Sequence, residues 1–321
     1  MAHYAIPGRL NLLPVALQMS AAFGILAAAS HTHSRDLLAV LAIGFAFVMQ
    51  MGFCRAHEAV HRKLHPNRTI NLGVSVLAFA LFLGSLHFFE VAHLLHHRRN
   101  RSNDGLEDYV LPGENPWIKW IMYYLLISGL FWLLLPVSSI IVAIIPRSRI
   151  RLSQPHEEAG AFRKFVQFLN GVKPGRVRRD LLVTVIVWAA AFPLLHLTFA
   201  SVAVCYAVFG FSWVSQQYIY HVRTPRHVVL GSLDPKLWGP LSWLYLNFNY
   251  DLTHHLAVWV PWDHLPAIAP QHPKRGYLNT YIDLWQPPES LEDAWPAQHQ
   301  ASGPLPSEVE RKRHLNVDLL W

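Results

Sequence analysis

The sequence predicts an all-α integral membrane protein with about four transmembrane helices, further re-entrant or interfacial helices, and a His-rich helical cap on one face. Three observations predict it. Of 321 residues, 52% are hydrophobic and only 15% are charged, against about 25% charged in an ordinary soluble domain. Five long stretches lack Asp, Glu, Lys and Arg altogether. The chain also carries 20 histidines, as many as its Asp and Glu together. A net charge of +7 would suit nucleic acid in a soluble protein. In a chain this apolar, clustered Lys and Arg mark loops that face anionic membrane lipid, and no nucleic-acid partner is expected. The two cysteines, Cys54 and Cys205, both lie in apolar runs, which excludes a disulfide framework and a Cys-based zinc site.

The charge-free stretches are Leu10–Ser34 (25 residues), Leu37–Cys54 (18), Thr69–Phe89 (21), Trp120–Pro146 (27) and Leu181–Val222 (42). A bilayer core of about 30 Å takes roughly 20 helical residues per crossing. The last stretch is therefore long enough for two helices, turning near Pro193–Thr198 or a little later. Ala27–Ser30 resembles a signal cleavage site, but Arg9 is the only preceding cation and a second apolar stretch follows at once, so the first stretch reads as a retained span. Basic residues set the orientation. Arg55, Arg62, Lys63 and Arg68 follow the second stretch, Arg98, Arg99 and Arg101 the third. Residues 147–179 hold nine Lys or Arg against two acids. The positive-inside rule places all these loops in the cytoplasm. Parity then makes 69–89 and 120–146 re-entrant or interfacial, with Gly129 and Pro136 available to break the second. The expected crossings are 10–34, 37–54 and two within 181–222, in a bacterial inner membrane. Residues 1–285 read as one membrane domain. From Gln286 to Trp321, Pro, Glu, Ser and Gln predominate, and a mobile polar cytoplasmic tail is expected.

Three histidine clusters flank these stretches on the face assigned to the cytoplasm. The first is His57-Glu-Ala-Val-His61, where i and i+4 share a helix face. The second, His93-Leu-Leu-His96-His97, puts three imidazoles on one face at i, i+3 and i+4. The third, Asp251-Leu-Thr-His254-His255, repeats that spacing with a carboxylate first, and His221 precedes it. Any one cluster can arise by chance, but three beside a membrane are costly unless paired or metal-bound. The remaining histidines read as ordinary: His87 and His196 as satisfied core residues, His65 and His227 as off the facial spacing.

The first cluster is HExxH, the zinc-protease pattern, in which Glu58 would act as general base. A zinc hydrolase needs only three protein ligands, and this chain offers a surplus that suits two metals with open positions. Imidazole and carboxylate ligands suit iron, and iron, unlike zinc, can change oxidation state to use O2. The cap therefore reads as a cytosolic helical di-metal site beside lipid, suited to an acyl or alkyl substrate. By helical spacing Glu58 faces away from His57 and His61 and reads as an outer-sphere partner of a ligand. Asp104, Glu107 and Asp108 follow the second cluster; they can orient its imidazoles, the role expected of Asp108, or offset Arg98–Arg101. A non-catalytic haem or metal-handling protein would instead place paired histidines on facing transmembrane helices.

The three clusters resemble the histidine boxes of membrane fatty-acid desaturases and their hydroxylase relatives. Asn249-Tyr-Asp-Leu-Thr-His254-His255-Leu, followed by Pro261-Trp and Leu265-Pro266, is similar to the family pattern NYHxxHHL…PW…LP. The resemblance spans roughly residues 37–270. It implies four membrane helices capped by a di-iron site with His57, His61, His93, His96, His97, His221, His254 and His255 as ligands. It also places Gln217 where some desaturases hold a water-linked Asn. Asp251 departs from the pattern, standing where the family has a histidine. A carboxylate there can ligate iron or accept a bond from a ligating imidazole, and ligation is the expectation adopted. The implied reaction uses O2 and external electrons to oxidise C–H bonds of a fatty acyl chain, first of all by desaturation. Hydroxylation, acetylene formation and alkene-forming decarboxylation are the alternatives within the superfamily. No fused haem module or iron–sulfur cysteine set is present, so a ferredoxin, rubredoxin or cytochrome with its reductase is implied as donor, and the basic loop 147–179 is a candidate dock.

Overall fold

The computed structural model describes residues 4–101, 106–145, 168–271, 274–291 and 294. Its contacts divide into two units. One comprises Met1–Glu90, Ser128–Ile150 and Val172–Val214; the other comprises Val91–Ile127, Arg151–Gly171 and Ser215–Trp321.

The first unit is built from long apolar helices. Helix α1 (Gly8–His31) buries Gly8, Asn11, Val15, Gln18, Ala22, Leu26 and Ala29, a stripe at three- and four-residue spacing in which Gly8, Ala22 and Ala29 let backbones approach. Leu10, Leu13 and Leu17 on its other side are exposed, as a lipid-facing surface requires. Helix α2 (Arg35–Val60) starts at Ser34, whose side chain accepts from the Leu37 N–H, and every residue from Gly52 to Val60 is buried. At Gly52 a Cβ would stand 2.6 Å from Gln18 Nε2, so the amide end of the Gln18 side chain lies directly against this glycine. Helix α3 (Arg68–Phe79), capped by Asn67, tightens into a 3-10 turn over Ala80–Phe82. The chain then passes through a left-handed residue, Leu83 (φ 58°), into α4 (Leu86–Arg99), bent 94° from α3. Ser85 Oγ accepts from the Phe88 N–H and donates to Asp180 (2.8 Å), which also accepts from the His87 N–H (2.9 Å). These contacts fix the start of the helix that carries the second box.

Helices α5 (Pro116–Leu125) and α6 (Phe131–Ile144) are separated by a break in the helix. The break is at Gly129, whose φ of 95° is open to glycine at little cost; a Cβ there would lie 2.4 Å from the Gly210 backbone. Helices α7 (Pro174–Leu194) and α8 (Phe199–Tyr218) divide the 42-residue apolar stretch near Pro193–Thr198, where the sequence placed the turn. Among the described residues, three helices, α1, α2 and α8, are long and apolar enough to cross a membrane, or up to five elements if each bent pair is one span. The expected four crossings fall inside that range, but α7 is not among the three. Its first turns carry Arg176, Arg178, Arg179 and Asp180, which leaves an apolar remainder shorter than a bilayer core.

The second unit contains the later part of α4, α5, the end of α8 and four short helices: α9 (Gly239–Leu244), α10 (Asp251–Leu256), α11 (Leu265–Ile268) and α12 (Tyr277–Leu284). Tyr123, Ile127, Val222 and Leu284 form a buried core, tied by the Tyr123 hydroxyl to the Leu284 carbonyl (2.5 Å). A two-residue parallel pair joins β1 (Tyr109–Val110) to β2 (Glu289–Ser290). Further contacts are made by residues after Gln286. Leu291 is buried against Leu106 and Tyr109, and the Trp120 indole donates to the Pro288 carbonyl. Residues 295–321 of the expected tail lie outside the described residues.

Candidate metal centre

In the first unit, His57 and His61 sit on the last turn of α2 and its C-cap, both buried, with ring centroids 4.8 Å apart. The Glu58 carboxylate, also buried, stands 3.6 Å from His57 Nδ1, beside the ring of a candidate ligand.

The second unit brings six histidines together in two groups. The ligand nitrogens of His93, His97 and His254 lie within 4.8 Å of one another, as do those of His96, His221 and His255. His97 Nε2 is 2.9 Å from His93 Nε2 and 3.2 Å from His254 Nε2. The two groups adjoin, since the rings of His97 and His255 are 4.4 Å apart. Helix α4 supplies three of the six through its i, i+3, i+4 face, and α10 supplies two. Asp234 holds α10 by accepting from the Thr253 N–H (3.1 Å) and hydroxyl (2.6 Å).

His221 follows α8 and is oriented by a contact of 3.0 Å between Nδ1 and the Gly231 carbonyl. A carbonyl cannot donate, so Nδ1 carries the proton and Nε2 presents its lone pair. That Nε2 is 3.5 Å from Asp251 Oδ2, and His255 Nε2 is 3.6 Å from the same oxygen. Asp251 also accepts a short hydrogen bond from the Ser232 hydroxyl. Burial pushes the His221 imidazole down to about 4 and His254 to about 3, and lowers His255 as well. Burial raises the Asp251 carboxyl to about 7, against the Ser232 bond that lowers it.

These donors fit a cation. His97 Nε2 faces two other imidazole nitrogens at once, and one proton can bridge only one such contact, whereas an ion serves all three. An imidazole-bound ion at about 2.1 Å holds neighbouring ligand atoms roughly 3–4 Å apart, the spacing seen here. His255 Nδ1 is buried with no hydrogen-bond partner among the described residues, and its Nε2 stands beyond hydrogen-bond range of Asp251. Ligation offsets the desolvation of such a ring.

The fatty acid desaturase family model matches residues 36–284. The chain belongs to the fatty acid desaturase family. Its members are di-iron oxidoreductases, so this desaturase-family chain is an enzyme of that kind, and the zinc-protease reading of HExxH is set aside. No curated protein matches the sequence.

Other expected residues fall elsewhere. Asp108 hydrogen-bonds to Arg101 (2.5 Å), the Tyr218 hydroxyl (2.9 Å) and the Arg223 N–H (2.5 Å). It offsets the charge of the buried Arg101. Asp104 lies outside the described residues. Gln217 is half-buried in the last turn of α8. His87 is a satisfied core histidine, accepting from the Lys173 N–H at Nε2 and meeting Glu90 at Nδ1. His227 accepts two backbone N–H groups at Nδ1. Sequence reasoning missed Ser232, Asp234 and Gly231, which reach the centre from a loop that carries no motif.

Proposed function

We propose that this desaturase-family chain binds two irons and oxidises a fatty acyl chain, inserting a double bond between neighbouring methylenes. The observation that carries the reading is the adjoining pair of three-histidine groups in one unit. The proposed ligands are His93, His97 and His254 for one ion and His96, His221, His255 and Asp251 for the other, with His57 and His61 as further ligands, as the three-box pattern implies. Bound iron would supply O2 activation and the power to oxidise an unactivated C–H bond. For each alkene formed, O2 takes two electrons from the substrate and two from a donor and leaves as water. A separate ferredoxin, rubredoxin or cytochrome is the proposed donor, and the basic loops support a cytoplasmic orientation of the site.

The protein's own groups set the shell. Burial keeps the His221 and His254 imidazoles neutral near pH 7, available as ligands. Ligation by Asp251 is favoured over an acceptor role, because His221 Nε2 has no proton to give it and the separations of 3.5 and 3.6 Å exceed hydrogen-bond length. Ser232 then steadies the ligating carboxylate.

The test is metal analysis and labelled-acyl feeding of cells expressing the chain with a donor and its reductase. Close to two irons per chain, with an alkene product absent in His96→Ala, supports the proposal. An alcohol, acetylene or decarboxylated alkene would assign another outcome of the superfamily. One zinc and no iron after iron-replete growth would overturn it. Glu58→Gln should weaken metal retention about 10–100-fold through His57 without abolishing turnover; loss of activity by many orders of magnitude would revive a general-base role.

A further inference from the structure

We infer that Asn100 is a positioning residue for the metal centre, acting through the Gly231 carbonyl on His221. The inference rests on the di-iron reading above and adds to it a residue outside the three boxes. Asn100 follows box two by three positions and is 4% exposed. Its Nδ2 donates to the carbonyls of Val228 (3.2 Å) and Gly231 (3.0 Å). Two acceptors on one nitrogen fix which end of the amide points inward, since a flipped side chain would set oxygen against oxygen. The Gly231 oxygen therefore receives two hydrogen bonds, one from Asn100 and one from His221 Nδ1.

The carbonyl has little freedom. The Gly231 N–H donates to the His227 carbonyl (2.8 Å), whose own N–H donates to the Pro225 carbonyl (2.8 Å), closing a tight loop. A Cβ on Gly231 would meet Arg101 Cγ at 2.3 Å, the His227 oxygen at 2.4 Å and the Pro225 oxygen at 2.8 Å. Two of those three obstacles are backbone, so the loop closes around a residue with no side chain. The Gly231 oxygen is thus clamped from the loop side and from the end of α4. That rigidity fixes both the tautomer and the ring plane of His221, and so the direction of its Nε2 lone pair. An outer partner that holds the far nitrogen of a ligating imidazole commonly changes metal retention about 10–100-fold when removed.

The test measures bound iron per chain and the rate at which a chelator strips it from full-length protein in detergent. Asn100→Ala and Gly231→Ala should release one of the two irons about 10–100-fold faster than wild type and leave the other unchanged. Asn100→Gln, which keeps a donor, should recover part of the difference. Adding Asn100→Ala to His221→Ala should change the release rate no further, because the two act on one ring. Trp188→Phe, which removes a buried hydrogen bond to the Ala80 carbonyl, serves as the control for lost stability and should keep both irons. Wild-type release from Asn100→Ala, or an effect that persists in the His221→Ala background, would overturn the tether. Wild-type protein that binds no iron would overturn the di-iron centre and the tether with it.

Discussion

Removing the guanidinium of Arg101 should destabilise the protein by about 3–5 kcal/mol. Arg101 is 1% exposed and its side chain donates to Asp108 (2.5 Å) and to the Thr224 carbonyl (2.8 Å). In Arg101→Ala the Asp108 carboxylate stays buried and keeps only the Tyr218 hydroxyl and the Arg223 N–H as donors. A buried charge stripped of its partner typically costs 3–5 kcal/mol, well above an exposed ion pair at about 0–1. Two retained donors argue for the lower end, and the space left by the arginine stem argues against going lower. An unfolding entropy of about 2.1 cal/mol/K per residue gives roughly 1.5 °C per kcal/mol for a chain of 321 residues, so the melting midpoint should fall by about 4–7 °C. The assay is thermal unfolding of detergent-solubilised protein, for Arg101→Ala and for Arg101→Met combined with Asp108→Leu. The double variant removes both charges and should regain most of the loss, since a well-packed apolar pair often replaces a buried ion pair without penalty. A midpoint for Arg101→Ala within about 2 °C of wild type would refute the reasoning.

Two further outcomes follow from the same geometry. Gly129→Ala should cost about 2–4 kcal/mol, because φ is 95° and the new Cβ would meet the Gly210 backbone at 2.4 Å; an unchanged midpoint on thermal unfolding would refute this. In chelator-treated protein, His221 and His254, held to about 4 and 3, stay neutral while their unfolded counterparts protonate near 6.5. The unfolded chain then binds more protons, so their contribution to stability is lost as pH falls below about 6.5. Asp251, raised to about 7, works the other way, holding its proton between pH 4 and 7 when the unfolded carboxyl does not. Asp251→Asn should therefore steepen the decline from pH 6.5 to 5 in metal-free protein, measured by unfolding midpoints across that range; a shallower decline would show that Asp251 does not oppose the histidines.

The boxes were legible because facial spacing is a property of one helix. His93, His96 and His97 needed only i, i+3 and i+4 to be placed on one side of α4, and His254 and His255 needed the same on α10. The turn between α7 and α8 was legible because no single helix requires 42 apolar residues. What stayed hidden depends on contacts between distant segments. Asp108 had two roles open to it in sequence, and its bond to the buried Arg101 is seen only in the fold. Asn100, Gly231 and Ser232 have no spacing signal, since their partners come from across a loop. The same limit applies after Gln286: a polar composition conveys average behaviour, whereas the buried Leu291 and the Glu289–Ser290 pairing are single contacts.

The three imidazoles of the His96 group come from widely separated points along the chain, and this sets an order of events during biosynthesis. At roughly 5–20 residues per second, His255 leaves the ribosome on the order of 10–30 s after His96, with α8 to be inserted in between. Neither three-histidine group in the second unit is complete until α10 has emerged, because each takes one member from that helix. Since metal affinity belongs to the assembled site and not to the unfolded chain, loading is confined to a late stage of maturation. A centre of the proposed kind, which would generate a strong oxidant, would thereby stay silent while the nascent protein is exposed to its insertion machinery and become competent only once the polypeptide around it is in place.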